Sequence, residues 1–257
     1  MTRTPEEVLS ELPGWEGASC SELHGGLSNR TWLVEAGDRR GVLKIDENPR
    51  KAPFNTRAQE AQIQSIAAEQ GLANRVLFVA DTVYLTEYAE GVVWSSDYLE
   101  DSVNLEQLAI ALRKLHALPL TGRTFDAMGA ARDYVSRIEE PDAGRVRDCL
   151  RKVEAGPSPP NLCCCHNDLV VENIINTPET RFLDWEYACD NDPFFDLATI
   201  AAHHALSESQ SGTLLDAYFD GNGARWREQL ARQAGVYEAL LYLWEQSRPS
   251  TSYSSAP

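Results

Sequence analysis

Between Leu162 and Trp185 a strand-rich insert interrupts a run of helical segments and carries three oxygen-bearing side chains at fixed intervals: Asp168, Asn173 five residues on, and Asp184 sixteen beyond Asp168. For the three to meet, the chain must turn through a loop at 168–173 and return Asp184 through a hairpin. Phosphoryl transfer needs such a set, because a carboxylate must orient the attacking hydroxyl while oxygen ligands hold magnesium against the nucleotide phosphates. Asp or Asn alone would only shape turns, and His166 alone would read as a satisfied core residue. The ordered set outweighs those readings.

Periodicity divides the remainder. Thr31 to Ala36 and Gly41 to Ile45, joined by the turn-forming Gly37-Asp38, fit a hairpin, and Val76 to Val79 and Thr82 to Thr86 extend the sheet. Thr56 to Gln70 has helical spacing and ends near Gly71. After Glu87-Tyr88-Ala89-Glu90-Gly91, which reads as a connector, helices are expected over Leu105 to Leu118, Tyr134 to Val153, Leu197 to His204, Gly212 to Phe219 and Trp226 to Gln246. The expected class is α+β, with a small antiparallel sheet and helix in residues 1–88, a mostly helical unit in 89–246 and a mobile tail in 247–257, where apolar content is too low to order the chain.

A chain of 257 residues with a formal charge of −16 is long enough to bury a sizeable core. That charge repels nucleic acid and anionic membranes, and it attracts cationic small molecules. Neither a signal peptide nor an apolar run of spanning length is evident, so a cytoplasmic protein without membrane insertion is expected. Of the six cysteines, Cys163-Cys164-Cys165 form a run. Neighbours on a strand point to opposite faces, so the run is not expected to chelate a metal as spaced C-x-x-C pairs do; buried, reduced thiols are expected.

His166-Asn167-Asp168-Leu169-Val170-Val171-Glu172-Asn173 resembles the catalytic loop H-x-D-x-x-x-x-N of the aminoglycoside phosphotransferase and choline kinase family, and Asp184-Trp185-Glu186-Tyr187-Ala188 is similar to its D-[FW]-E-Y-[AS] segment. Asn191-Asp192-Pro193-Phe194-Phe195-Asp196-Leu197-Ala198 resembles the family's D-P-x-x-D-L-A stretch. The resemblance spans residues 20 to 246 and implies a two-lobed protein-kinase-like fold with ATP and Mg2+ in the cleft. It implies Asp168 as catalytic carboxylate and Asn173 and Asp184 as metal ligands. His166 and Asp196 would support the site, Asp196 either by buttressing the loop or as the N-cap of the helix from Leu197.

The N-terminal third adds a weaker set. Glycines let a backbone turn tightly against phosphates; by itself Gly25-Gly26 between strands more often means an ordinary hairpin, but with Ser28 and Asn29 it resembles the family's G-G-x-[ST]-N phosphate loop. Lys44 on an apolar strand resembles the phosphate-binding lysine, with Glu60 on the next helix as its expected partner. Glu87 and Ala89 fall where backbone groups of the hinge would meet adenine.

For the acceptor, the resemblance implies a small alcohol, with choline, ethanolamine or thiamine leading and an aminoglycoside or sugar as the alternative; a nucleotide-binding pseudokinase ranks last because Lys44, Asp168, Asn173 and Asp184 are all present. Tyr187 and Trp244 are the cage candidates, since aromatic faces hold cations without hydrogen-bond donors. Tyr237, seven before Trp244 and on nearly the same face, and Tyr242 are either core or cage. His203 stands where animal choline kinases carry a glutamate. Oligomeric state is not legible, and a protein kinase is disfavoured by the lack of an A-P-E segment after Asp184.

Overall fold

The computed structural model describes residues 3–23, 30–51, 54–157 and 161–248. A short helix α1 (Pro5–Ser10) precedes strands β1 (Ser19–Leu23), β2 (Arg30–Ala36) and β3 (Arg39–Ile45), then helix α2 (Arg57–Glu69) and strands β4 (Val76–Val79) and β5 (Val83–Glu87). The strands form one antiparallel sheet in the order β1-β2-β3-β5-β4. Its two faces follow from alternation along each strand. Val34, Leu43, Ile45, Val83 and Leu85 join Val8, Leu9, Leu12 and Trp15 in one apolar cluster. Lys44 falls on the opposite face, in register with Thr31 on one side and Tyr84 on the other. The six-residue α1 escapes the periodicity reading because it is too short to show a repeat, although Thr4 and Glu7 form a complete capping box.

Beyond the sheet come β6 (Val92–Val93), α3 (Ser102–His116), α4 (Ala127–Arg137) and α5 (Ala143–Glu154). The single helix expected over Tyr134 to Val153 is therefore two. The first ends before Pro141, and the second starts on Asp142, whose carboxylate accepts from the amides of Gly144 and Arg145. The insert then provides β7 (Cys163–Cys165), β8 (Ile174–Asn176), β9 (Thr180–Phe182) and β10 (Cys189–Asn191). β8 and β9 form a hairpin with β6 at its edge, and β10 pairs with β7.

Three further α-helices follow among the described residues: α6 (Pro193–His203), α7 (Glu208–Tyr218) and α8 (Arg227–Gln246). The N-cap of α6 is Asp192, which accepts from Phe194 N–H with Pro193 at the first helical position, so Asp196 is not the cap. Leu105, Leu108, Leu112 and Leu115 pack with Leu197, Ile200, Leu214 and Trp185 in the largest cluster. A second cluster joins α4 and α5 to α8 through Tyr134, Val146, Val153, Tyr237, Leu240 and Leu243, with Phe195.

The expected mobile tail needs correcting at its start. Ser247 is buried and its hydroxyl donates to Trp244 O, while the Arg248 guanidinium lies over the Trp244 ring at 4.7 Å. Residues 249–257 lie outside the described residues. Among the described residues no helix is long and apolar enough to cross a membrane.

Candidate active site

The loop after β7 carries Asp168 and Asn173, and the segment leaving β9 carries Asp184. Asn173 Nδ2 donates to Asp168 Oδ2 at 3.0 Å and to the Asp168 carbonyl at 2.9 Å, which leaves Asn173 Oδ1 available to a cation. Asp184 adopts the left-handed region at φ 58°, as does Asn167 at φ 66°. Asp and Asn reach that region more readily than other side chains, so the motif residues suit the turns that aim them.

Asp196 holds the loop. Its two oxygens accept from the amides of His166 (2.9 Å) and Asn167 (2.7 Å), and His116 Nε2 is 3.1 Å from Oδ2. His166 Nε2 donates to Leu183 O at 2.8 Å, tying the loop to the returning segment, and burial depresses the proton affinity of its ring. Asn167 Nδ2 donates to Tyr187 O, and Asn191 Nδ2 donates to Asn167 Oδ1 at 2.7 Å. Every loop polar group named here ends on a fixed partner, which preorganises Asp168.

On the sheet side Lys44 Nζ lies 2.8 Å from Asp184 Oδ1. Burial pulls the ammonium down, but the charges of Asp184, Glu60 and Glu186 raise its proton affinity above the ordinary value. Burial pushes Asp184 up, and Lys44, Arg50 and Arg57 overcome it and hold the carboxyl below the usual range. The expected pairing of Lys44 with Glu60 is not made. Glu60 Oε2 is taken by Arg57 at 2.8 Å and Arg50 at 3.3 Å, so two guanidiniums already neutralise it, and Lys44 turns to Asp184. Arg57 also grips Asp46 at 2.6 Å, and Arg50 reaches Glu186 at 2.6 Å.

Asp46, Arg50 and Arg57 were not singled out by the sequence reading, and Glu186, quoted within its motif, was given no role, because nothing along the chain shows that these charges are buried together. Asn55 straps the same segment: its side-chain amide donates to Trp185 O and Ala188 O. Glu87 closes β5 with its amide on Arg75 O and its carboxylate on the Arg75 guanidinium, and Ala89 is nearly buried beside it. Gly25, Gly26, Ser28 and Asn29 lie outside the described residues.

Asp168, Asn173 and Asp184 open onto a cavity of about 450 Å³ between the loop and helices α4, α6 and α8. Carboxylates of Asp168, Glu172, Asp184 and Glu186 line it, with the rings of Phe125, Tyr134, Tyr187, Phe195, Tyr237 and Trp244. Tyr187 and Trp244, expected at the acceptor, are in this wall. Tyr237, weighed between core and cage, packs in the second cluster and also lines the cavity, its hydroxyl 2.7 Å from His203 Nδ1. Tyr242 is not among the lining residues; the Arg145 guanidinium covers its ring. Phe125 and Tyr134 were missed, standing in no motif, and Glu172 and Phe195 fall at variable positions of the quoted motifs and were given no role. Burial, then the neighbouring Asp184 and Glu186 charges, push the Asp168 carboxyl up to about 7. Burial and Asp184 likewise raise Glu186 against the pull of Arg50.

A sheet-and-helix lobe facing a helical lobe across a carboxylate-lined cleft defines a protein-kinase-like fold. Residues 19–232 match the phosphotransferase enzyme family, and the chain belongs to it. Protein LicA of Haemophilus influenzae is 30% identical over 76% of this chain, which spans 61% of that protein's length. A thiamine kinase of Salmonella typhi is 29% identical over 84% of this chain and 76% of its own. A choline/ethanolamine kinase family protein from Mesorhizobium loti, 29% identical, superposes with a TM-score of 0.72 over 92% of this chain and 82% of that one.

Proposed function

We propose that this family member is an ATP- and magnesium-dependent kinase that transfers the γ-phosphoryl group to the hydroxyl of a small cationic alcohol of the choline, ethanolamine or thiamine kind. The carrying observation is the cavity wall, which offers six aromatic rings, the carboxylates of Asp168 and Glu172 and those of Asp184 and Glu186, the last two already paired with Lys44 and Arg50, and, among the described residues, no lysine or arginine. Such a wall stabilises a positive charge by field and by ring quadrupole, which a neutral sugar does not exploit. The volume lies at the small end of the roughly 300–1,000 Å³ typical of ligand pockets. His203 stands where a glutamate was expected, but Glu172 brings a carboxylate to the same wall.

In this reading Asp168 accepts the acceptor's hydroxyl proton and aims its oxygen at the γ-phosphorus. A carboxyl near 7 is poised for that exchange. Asn173 Oδ1 and Asp184 would hold magnesium. The donor set fits, being all oxygen, with Asp184 Oδ1 held in the free protein by Lys44 at 2.8 Å. When bound, magnesium supplies neutralisation of phosphate charge. Lys44 then exchanges Asp184 for the nucleotide phosphates, with Gly25, Gly26, Ser28 and Asn29 as the proposed phosphate loop and backbone groups of Glu87 and Ala89 as the adenine contact. Glu60 acts at one remove, by anchoring Arg50 and Arg57.

The test is ATP consumption measured with choline, ethanolamine, thiamine, aminoglycosides and simple sugars. Turnover confined to cationic acceptors is expected. A neutral sugar turned over in preference to all of these would overturn the reading of the wall.

A further inference from the structure

We infer that Cys163, Cys165 and His116 form a binding site for a thiophilic divalent cation of the zinc class, seated behind the catalytic loop and separate from the magnesium ligands. Chelation was not expected from the cysteine run, because adjacent residues on a strand face opposite ways. Alternate residues share a face, and on β7 this brings the Cys163 and Cys165 sulfurs to 3.5 Å. Two thiolates bound to one tetrahedral zinc at about 2.3 Å stand about 3.7 Å apart, so the pair already has the right bite. His116, in the last turn of α3, brings a ring nitrogen so that all three ligand atoms lie within 4.8 Å of one another. Closing the set takes a movement of about 1 Å.

The surroundings suit a cation. The Asp196 carboxylate, fully buried, sits 3.1 Å from His116 Nε2, while the Tyr218 hydroxyl lies 2.7 Å from Nδ1. Ligation through Nδ1 displaces Tyr218 and keeps Nε2–H on Asp196, which is the carboxylate–histidine–metal arrangement that orients a metal-bound imidazole. The thiols now donate to Asn191 O and Asp192 O. On binding, each thiol gives its proton to solvent and the two sulfur lone pairs go to the ion, so the dication enters as two protons leave. Cys163 is half-buried and provides the way in. Sulfur and imidazole select against magnesium, so the two sites do not compete for one ion.

The experiment titrates the reduced, full-length protein with Co2+ under excess Mg2+, reading thiolate-to-cobalt charge-transfer absorption, and then displaces the cobalt with Zn2+. One equivalent per chain is expected, with the band reduced and affinity weakened by more than the roughly tenfold to hundredfold that loss of an outer-shell partner costs in Cys163→Ser and His116→Gln. The band should be unchanged in Cys20→Ser. Thermal melts establish that each variant is folded, and Cys163→Ser, at the half-buried position, serves if Cys165→Ser is not. The inference is overturned if folded wild type gives no thiolate band, or if folded Cys163→Ser keeps the full band and affinity. Either result leaves the kinase reading intact, because the titration does not measure phosphoryl transfer.

Discussion

The two walls of the cleft treat charge in opposite ways. On the sheet side Asp46, Glu60, Asp184 and Glu186 are matched by Lys44, Arg50 and Arg57, with side chains nearly all out of water. On the helical side Asp168 faces aromatic rings, with Glu172 exposed to solvent and no lysine or arginine in the wall among the described residues. Burying a charge is tolerable when a partner remains in place, and the sheet side meets that condition within the chain. The helical side leaves it to be met from outside, which is what a binding site for a cation does. Asp184 lies between the two regimes: its one cationic partner within ion-pair distance, Lys44, is the side chain proposed to leave it for the nucleotide.

The largest expected effect breaks the unmatched side. Asp168→Asn should lower turnover by about 10²- to 10⁴-fold while ATP affinity stays close to that of the parent, since the lost carboxylate acts on the acceptor. Turnover within a few-fold would remove Asp168 from that role. The same variant has a stability signature. The folded Asp168 carboxyl sits near 7 against an ordinary 3.8. Below about pH 4 the group is protonated in both states and has no effect. As pH rises from about 4 to about 7 only the unfolded chain ionises, so the parent steadily loses stability, and above 7 the loss is complete. In the absence of nucleotide, the melting temperature of Asp168→Asn should therefore gain on the parent across that window; a constant gap would mean that Asp168 is not held neutral by its surroundings.

The matched side should respond in stability instead. Arg57→Ala leaves Asp46 and Glu60 buried with only Arg50 to share, and the cost expected is about 3–5 kcal/mol in chemical denaturation. A loss under 1 kcal/mol would show the network to be better hydrated than its burial indicates. Activity per folded molecule is expected to fall less than in Asp168→Asn, and that inequality is the sharpest statement of the comparison.

How far the sequence discloses each side follows the same division. The strand at 31–36 declares itself by its β-branched and aromatic residues beside a turn, that at 76–79 as a short apolar run, and Asp168, Asn173 and Asp184 by spacing, because all three signals are local. Pairings fixed by distant backbone do not show. Glu60 has Arg57 three residues before it on the same helix, but only the packed fold decides that Arg50 joins Arg57 there and that Lys44 goes to Asp184. The break at Pro141 was hidden because apolar residues recur on both sides of it, and Tyr134, Val146 and Val153 all enter one cluster. Phe125 and Phe195 meet at 5.1 Å from opposite ends of the helical unit, a proximity that no window along the chain contains.

The smallest expected effects concern Trp244, and they come as an opposed pair. If the ring contributes a cage face, Trp244→Ala should raise the Michaelis constant for a cationic acceptor by roughly five- to thirtyfold, the equivalent of about 1–2 kcal/mol, and spare that for ATP. Loss of a purely structural tryptophan would instead lower the melting temperature and damage both constants, through about 3–5 kcal/mol of packing. The Arg248 guanidinium already lies over this ring, at 4.7 Å from its centre. A cationic acceptor must therefore share the ring with a like charge or displace it, so Arg248→Ala should lower the acceptor constant by roughly two- to fivefold, in keeping with about 0.5–1 kcal/mol for an exposed cation–π contact. Steady-state kinetics with both substrates, and melts on both variants, separate the outcomes. Opposite shifts in the acceptor constant place the ring at the acceptor, whereas equal and unselective losses return Trp244 to the core and leave Tyr187 and Tyr237 as the aromatic faces to test next.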